Sequence, residues 1–213
     1  MSKLITTSLI GSINWFLNAP NSYKEQSYLD LKNMLGRESY EMNEYAKRGV
    51  EFERMIYDTL KYDRDISKIK CSEKFKEFLF ACKNGSFQEK VKFFMTIDNI
   101  EYCIYGKIDV LFQHKIIDIK TTSKWNEYSE DKYLSSFQHK FYCYGKKILD
   151  FEYMIAVFDG LNLPIKDIKH ITYQVKDFTG LEYEIIEKIK EVQKFLNEYN
   201  ELLELFDTVY SKY

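Results

Sequence analysis

The sequence of 213 residues predicts an α/β (α+β) fold in which helices flank a central mixed β-sheet. Three segments indicate this class. Apolar or small residues recur at helical spacing over residues 42–60. Residues 91–121 change to stretches rich in β-branched and aromatic side chains, which favour strands. Residues 180–207 return to an amphipathic helical pattern, and helices before and after a block of strands are typical of this architecture.

Three helices are predicted in the first third of the chain. Residues 8–17 form a short helix with Ser8 as its N-cap, since a serine hydroxyl accepts a hydrogen bond from the first turn. Residues 22–35 form a second helix that ends near Gly36. The third helix covers residues 42–60. One face of it is predicted to turn to the core, through Tyr45, Gly49, Phe52, Ile56 and Leu60.

The strands are predicted from their composition and from the turn residues between them. Asp98 and Asn99 separate the first strand from the second, and Gln113 and His114 separate the second from the third. Short turns of this kind join antiparallel neighbours, so the three strands form a meander. The elements predicted from residue 91 onward are strands at 91–97, 100–112 and 115–121, a helix at 133–148, strands at 151–158 and 170–175, and a helix at 180–207.

Composition places few limits on function. No repeat or Pro/Gly/Ser-rich linker interrupts the chain, so residues 1–213 are predicted to form a single domain. The net charge of −2 gives no global basic field for a nucleic acid, although an enzyme needs only a local cationic groove. No apolar stretch indicates a signal peptide or a membrane span. Four widely spaced cysteines without a C-x-x-C pair indicate reduced thiols in a cytoplasmic protein.

The hairpin around Gln113 and His114 brings two carboxylates together. If these residues form the loop, Asp109 lies across from Asp118 with Cβ atoms about 5 Å apart. Two bare carboxylates in that position repel each other, and a divalent cation such as Mg²⁺ or Mn²⁺ removes the repulsion. The pair therefore predicts a metal site.

Lys120 lies two residues beyond Asp118 and shares its side of the strand. A lysine among isoleucines needs anionic partners, and carboxylates or a phosphate meet that need. A metal and a cation together are suited to phosphodiester hydrolysis. The alternative is a surface strand on which Asp and Lys are solvated and paired, since a D-x-K triplet is common. The flanking isoleucines and the opposed Asp109 favour the site.

These residues resemble the core signature of the PD-(D/E)XK nucleases, and more narrowly its RecB-like and phage exonuclease branch. Residues 106–110 (GKIDV) and 117–122 (IDIKTT) carry the likeness, although Ile108 stands where the family name has a proline. Residues 48–53 (RGVEFE) resemble the helical motif upstream of the sheet, with Glu53 in the metal-facing position. Residues 138–142 (QHKFY) are similar to the Q-x-x-x-Y motif of that branch.

The resemblance implies a restriction-endonuclease-like core and a set of roles. One or two Mg²⁺ or Mn²⁺ ions would bind to Glu53, Asp109, Asp118 and the carbonyl of Ile119. Lys120 would position the attacking water and stabilise charge on the phosphate. No iron–sulfur cluster is expected, because the branch members that have one carry a downstream cysteine trio that this chain lacks.

Two further residue pairs are candidates for ordering the site or binding substrate. Gln138 and Tyr142 are four residues apart, so on a helix they share one face. The alternative for them is a tyrosine in the core with the glutamine at its edge. Lys124 and Trp125 follow the predicted catalytic strand, where a base can stack on the indole and a phosphate can meet the lysine. A core or rim position is the alternative for Trp125.

The remaining polar signals are weak. The three histidines show no metal-ligand spacing, with His114 predicted in the hairpin turn and His139 on the surface of a helix. The function predicted is a metal-dependent deoxyribonuclease, an exonuclease acting in phage or bacterial recombination, repair or replication. The alternatives are a structure- or sequence-specific endonuclease, and a catalytically silent binding module. The partners expected are DNA and a recombinase, single-strand-binding protein or helicase, and no membrane is expected. The sequence is compatible with an oligomer. It predicts neither strand polarity nor a preference for DNA over RNA.

Overall fold

The computed structural model describes residues 2–38, 42–62, 65–160 and 162–211. Within those ranges lie six strands and eight α-helices. The strands are β1 (Lys3–Thr6), β2 (Ser86–Ile97), β3 (Ile100–Leu111), β4 (Lys115–Thr122), β5 (Asp150–Asp159) and β6 (Asn162–Gln174). The helices are α1 (Thr7–Asn18), α2 (Lys24–Gly36), α3 (Glu44–Tyr62), α4 (Glu73–Cys82), α5 (Ser129–Leu134), α6 (Gln138–Lys146), α7 (Phe178–Glu198) and α8 (Asn200–Tyr210).

All six strands form one mixed sheet. β2 pairs antiparallel with β3 along its whole length, from Ser86 opposite Leu111 to Ile97 opposite Ile100. Strands β1 and β4 therefore share the other edge of β3, where β1 runs parallel and β4 antiparallel to it. The sheet continues through β5, parallel to β4, and β6, antiparallel to β5. The predicted class, a mixed sheet flanked by helices, is confirmed.

The meander and its two turns are also confirmed. Asp98 and Asn99 have φ values of 50° and 63°, the left-handed conformations that a two-residue hairpin turn requires. At the second turn the N–H of Phe112 donates to the carbonyl of Lys115 at 2.9 Å, so Gln113 and His114 form the loop. The pairs Val110–Ile117 and Leu111–Ile116 follow in the register that this loop sets.

The core consists of two hydrophobic clusters on opposite sides of the sheet. Alternate residues of β4 belong to different clusters: Ile117 and Ile119 pack with α3 and α4, while Ile116 packs in the larger cluster with α1, α2, α6, α7 and α8. Because strand side chains alternate, Asp118 and Lys120 leave β4 on the side of Ile116. Asp118 thereby meets α6, where Gln138 donates a hydrogen bond to it.

Several boundaries differ from the sequence prediction. Thr6, not Ser8, caps α1, since its Oγ1 accepts from the N–H of Leu9 at 3.0 Å. The helix predicted at 133–148 is two helices, α5 and α6, separated by Phe137 with a left-handed φ of 62°. The helix predicted at 180–207 is also two, α7 and α8, separated at Tyr199. Strands β2 and β6 begin earlier than predicted, and β1 and α4 had no predicted counterpart.

No helix among the described residues has the length and apolarity needed to cross a membrane.

Candidate active site

The candidate site lies where β3 and β4 separate. On this edge of β3, β1 pairs with residues 102–105 and β4 pairs with Val110 and Leu111. Residues 106–109 lie between, without a strand partner on that edge among the described strands. Asp109 lies at the end of this gap, and the backbone groups of the gap need partners other than a strand.

Asp109 and Asp118 meet at the gap in a manner that differs in detail from the prediction. The hairpin register is as predicted, but the ladder ends at Val110 and Ile117, one pair before the two aspartates. The carboxylate of Asp109 instead accepts the backbone N–H of Ile119 at 2.8 Å. Asp109 is 9% exposed and Asp118 is fully buried. The N–H and C=O of one residue leave an extended strand on the same edge, so the Ile119 carbonyl faces the same gap.

The two oxygens of Asp118 differ, because Oδ1 accepts a hydrogen bond whereas buried Oδ2 has an ion-pair contact but, among the described residues, no partner with hydrogen-bond geometry. Its Oδ1 accepts from Nε2 of Gln138 at 2.8 Å, and its Oδ2 contacts the ammonium group of Lys120 in an ion pair. Lys120 is half-buried and follows Asp118 on the same side of β4. The predicted grouping of a carboxylate, lysine and glutamine is present in the structure.

Tyr142 closes the gap in β3. Its hydroxyl donates to the carbonyl of Lys107 at 2.7 Å and accepts the N–H of the same residue at 3.2 Å. It also accepts from Nε2 of Gln138 at 3.0 Å. The ring packs on Gly106, where an added Cβ would lie 2.4 Å from Cε1 of Tyr142. Tyr142 is thus buried, as the alternative anticipated, and its hydroxyl also orders Gln138.

Helix α3 brings Glu53 to the same site. One turn earlier Gly49 packs closely on β4, because a Cβ there would lie 3.1 Å from Oγ1 of Thr121. Burial raises the pKa of Glu53 to about 7; the charge of Asp118 also raises it, while those of Lys120 and Lys107 lower it. Glu53 therefore lies within electrostatic reach of the central pair.

The charges of the site are strongly coupled. Burial raises the pKa of Asp109 well above its usual range, and the nearby charges of Asp118 and Glu53 raise it further. Burial also raises the pKa of Asp118, against the opposing effect of Lys120. For Lys120, burial alone would lower the pKa, but the charges of Asp118 and Asp109 raise it overall. Crowding carboxylates at a buried position destabilises the fold unless a cation joins them.

The donor chemistry fits a hard divalent cation, but the present arrangement does not hold one. Glu53, Asp109 and Asp118 and the Ile119 carbonyl are oxygen donors of the kind that Mg²⁺ and Mn²⁺ prefer. Among the described residues, however, no group of three or more His, Cys, Asp or Glu side chains is arranged as it stands to hold a metal. Lys120 is the counter-ion of Asp118 Oδ2, so a metal ion at this oxygen would share it or compete for it with the ammonium group.

The same tripeptide occurs elsewhere in the chain in a different environment. Residues 167–169 repeat the sequence Asp-Ile-Lys on β6. There the side chain of Asp167 is 49% exposed and pairs with Lys169 at 2.7 Å. Hydrogen bonds from Lys169 and from the backbone of Ile168 lower the pKa of Asp167, whereas the pKa of Asp118 is raised. Residues 167–169 show the solvated alternative that was weighed for residues 118–120.

Lys124 and Trp125 lie outside the group of carboxylates. Trp125 stacks on Tyr133 with ring centroids 6.2 Å apart and 17° between the planes, and it packs against the larger cluster. Burial raises the pKa of Tyr133, Lys120 lowers it and Asp118 raises it, so Tyr133 is the ring that lies near the charged centre. Lys124 is exposed, and its N–H bonds to Oγ1 of Thr122. The structure does not bring Lys124 or Trp125 into contact with the carboxylates.

Three residues near the site were missed or misplaced. Lys107, whose charge acts on Glu53, precedes Asp109 by two residues, and strand alternation could have identified it. Tyr153 lies next to Asp118 in the β4–β5 register, a pairing that no local pattern reveals. The prediction that His139 lies on the surface is wrong, because it is 1% exposed and packs on Tyr173 at 4.3 Å. Burial and the charge of Lys140 lower the pKa of His139 to about 3.

Comparisons with known proteins give structural neighbours only. No family model and no curated protein sequence matches the chain. The crystal structure of SSO0001 superimposes with a TM-score of 0.55 and 10% identity over 92% of this chain and 77% of that one, which shows a shared fold. An alkaline exonuclease from Laribacter hongkongensis has a TM-score of 0.48 and 14% identity, over 98% of this chain and 92% of that one. A phage related exonuclease from Haemophilus somnus 129PT has a TM-score of 0.46 and 14% identity, over 95% of this chain and 94% of that one. Two of these structural neighbours are exonucleases, but TM-scores below 0.5 do not assign an activity.

Proposed function

We propose that this chain, as a single domain, is a metal-dependent deoxyribonuclease of the PD-(D/E)XK type. The observation that supports it best is the grouping of buried Asp109 and Asp118 with half-buried Lys120 in the gap between β3 and β4. Buried carboxylates that crowd one another reduce stability, and strongly shifted pKa values cluster at functional sites. Gln138 holds one oxygen of Asp118, which gives the carboxylate a fixed orientation.

The metal ligands proposed are Glu53, Asp109, Asp118 and the carbonyl of Ile119, binding one or two Mg²⁺ or Mn²⁺ ions. A bound divalent ion would lower the pKa of a water molecule and offset charge on the phosphate.

Other groups of the protein would stabilise charge on the phosphate and hold the carboxylates in place. The ammonium group of Lys120 would donate to a phosphate oxygen as negative charge develops there. The backbone N–H of Ile119 fixes the carboxylate of Asp109. Tyr142 and Gln138 keep Asp118 in place through their shared hydrogen bonds.

The finer proposals concern substrate and setting. We propose an exonuclease that acts on DNA in recombination, repair or replication, in the cytoplasm of a bacterial or phage-infected cell, with a recombinase, single-strand-binding protein or helicase as a partner. Lys124 and Trp125 are proposed to contact the DNA outside the central group.

The test is cleavage of end-labelled linear DNA with Mg²⁺ or Mn²⁺. Asp118→Asn and Lys120→Ala are each expected to lower the rate by about 100-fold or more, because the first removes a proposed metal ligand and the second removes the cation that stabilises developing charge on the phosphate. The matched controls are Asp167→Asn and Lys169→Ala, which alter the same tripeptide where it is exposed and are expected to cleave like the wild type. Unchanged cleavage in both Asp118→Asn and Lys120→Ala, with folding intact, would refute the proposal.

A second substrate separates the two nuclease alternatives. Covalently closed circular DNA has no end, so an exonuclease leaves it intact while it degrades the linear form of the same molecule. Cleavage of the circle would identify an endonuclease. A folded wild type that binds DNA and cleaves neither form would be the catalytically silent module.

A further inference from the structure

An open groove with a volume of about 730 Å³ lies between the second half of α3 and the start of β2. Helix α3 lines it with Tyr57 and Lys61, and the turn after α4 with Lys83 and Asn84. Phe87 of β2 contributes the apolar floor. We refer to it as the α3–β2 groove. None of its lining residues belongs to the site described above.

Helix α3 connects the groove with the candidate active site. Tyr57 and Lys61 follow Glu53 at intervals of four residues, so the three side chains lie along one side of α3. At 1.5 Å per residue, Lys61 is about 12 Å beyond Glu53 along the helix. On the other wall, Phe87 pairs with Val110, the residue after Asp109. A nucleotide strand that follows α3 from Glu53 would therefore reach the groove.

Aromatic rings are presented in the groove instead of being buried. Tyr57 is 36% exposed and rests on Phe87 with centroids 5.4 Å apart. Tyr62, the last residue of α3, lies outside the lining of the groove and is 77% exposed. The ammonium group of Lys61 lies 5.6 Å from the ring centroid of Tyr57 and 5.2 Å from that of Tyr62. Rings with adjacent cations are suited to a ligand that has flat apolar faces and negative charge, as a nucleotide has.

Several lysines lie near these rings. Lys61 and Lys83 are exposed at the groove. Lys90 and Lys107 are also exposed, and they lie directly opposite each other on β2 and β3. Like charges in opposed positions destabilise a sheet, and an anion between them removes that effect. In a chain with a net charge of −2, this is a local concentration of cations.

We infer that the α3–β2 groove binds a short run of unpaired nucleotides on one side of the phosphate that is cut. Bases stack on Tyr57 and Tyr62, and phosphates contact Lys61 and Lys83. The ligand is a single strand because stacking on a side chain requires bases that are not stacked within a duplex. This inference rests on the proposed function only for the position of the cut phosphate.

The test is binding of a fluorescein-labelled oligothymidylate, measured by fluorescence anisotropy in EDTA so that no cleavage occurs. Tyr57→Ala is expected to weaken binding about 5- to 100-fold, the effect of removing one stacked base. Tyr57→Phe keeps the ring and is expected to bind like the wild type. The double variant Lys61→Gln/Lys83→Gln is expected to reduce the slope of log affinity against log salt by about 0.7 for each phosphate that the protein no longer neutralises.

Matched controls come from the exposed face of α7. Tyr183 is 66% exposed and Lys194 is exposed, so Tyr183→Ala and Lys194→Gln are expected to leave affinity and salt slope unchanged. Circular dichroism melts of all variants identify any that fail to fold. The conservative Tyr57→Phe variant then separates the effect of the ring from that of the hydroxyl.

The outcomes distinguish the groove from the nuclease proposal. Groove variants that bind the single strand like the wild type, or a wild type that does not bind it, would overturn the inference. Equal losses of affinity for a blunt duplex of matched length would overturn the choice of a single strand. A wild type that binds through the groove but cleaves nothing with Mn²⁺ would refute the proposed nuclease and leave the groove assignment standing.

Discussion

The tripeptide Asp-Ile-Lys has opposite properties at its two positions in this chain. At residues 118–120 the aspartate is fully buried and its pKa is raised, mainly by burial. At residues 167–169 it is about half exposed and its pKa is lowered by its lysine. Burial of an ion pair carries a desolvation penalty that can exceed the attraction between its charges, while an exposed ion pair contributes little to stability. The tripeptide alone therefore predicts nothing; the isoleucines before Asp118 and the opposed Asp109 distinguished the two positions.

Gly106 provides a test of how the gap in β3 is filled. Gly106→Ala adds a Cβ that would lie 2.4 Å from the ring of Tyr142, which hydrogen bonds to Lys107 and Gln138 hold in place. We expect this variant to lose about 1–3 kcal/mol of unfolding free energy, the usual effect of overpacking, and to cleave DNA more slowly because Gln138 shifts with Tyr142. Urea denaturation and the end-labelled DNA assay measure the two effects.

Gly11 supplies the control for that substitution. A Cβ at Gly11 on α1 would meet no atom within 4 Å. Gly11→Ala is therefore expected to raise the unfolding free energy by up to about 1 kcal/mol through helix propensity and to leave cleavage unchanged. If Gly106→Ala unfolds at the same urea concentration as the wild type, the packing of Tyr142 on this glycine does not constrain the site.

At the scale of elements, a cluster of polar side chains joins β4, β5, β6 and α4. Glu152 of β5 is 7% exposed and pairs with Lys115 of β4 and with His170 of β6. His170 also contacts Glu77 of α4 at 3.2 Å. Burial would raise the pKa of Glu152, but Lys115 and His170 lower it overall. The charged form of Glu152 thus stabilises the junction of these four elements.

The pH dependence of Glu152→Gln follows from that lowered pKa. A depressed pKa in the folded state gives stabilisation that is present above the unfolded pKa, about 4.3, and is lost as pH falls through the folded value. We expect the variant to be less stable by about 1–3 kcal/mol at pH 7 and the difference to shrink below about pH 4.5. Urea denaturation across pH measures it, with exposed Glu198→Gln as the control. A difference that stays constant down to pH 3 would contradict the assigned ion pairs.

Elements were predictable where a single local pattern decides them. The two hairpin turns and strands β3 and β4 follow from turn residues and β-rich composition, and both turns are confirmed. Strand β1 has four residues and pairs in parallel with β3, about a hundred residues later, so no local pattern predicts it. The break before α6 depends on Phe137, whose left-handed conformation is unusual for a bulky residue and not predictable from its type.

For the molecule as a whole, the site depends on distant segments that only the folded topology brings together. Glu53 comes from α3, Asp109 and Asp118 from β3 and β4, and Gln138 from α6. The resemblance to a nuclease signature identified these residues, because the positions of a sequence motif correspond to side chains that lie together in the folded protein. It did not indicate Lys107 or Tyr153, which reach the site through strand register. Nor did it indicate that Lys120 would occupy an oxygen of Asp118.

That ion pair leads to a prediction for the stability of the whole molecule. Buried carboxylates with raised pKa values repel one another, and a divalent cation that joins them stabilises the folded state alone. At a Mn²⁺ concentration of about 100 times its dissociation constant, the gain is about 2.7 kcal/mol. For a domain of this size, that corresponds to a rise of roughly 5–11 °C in melting temperature.

Thermal melts with and without Mn²⁺ or Mg²⁺ measure this rise in the wild type. Asp118→Asn keeps the shape of the side chain but removes its charge, so its melting temperature is expected to respond weakly to either ion. Asp167→Asn is expected to respond like the wild type, because exposed Asp167 pairs with Lys169 on β6, away from the three carboxylates. Equal rises in the melting temperature of Asp118→Asn and of the wild type would mean that the ion binds at another position. No rise in the wild type would mean that Lys120 is the only counter-ion that these carboxylates accept.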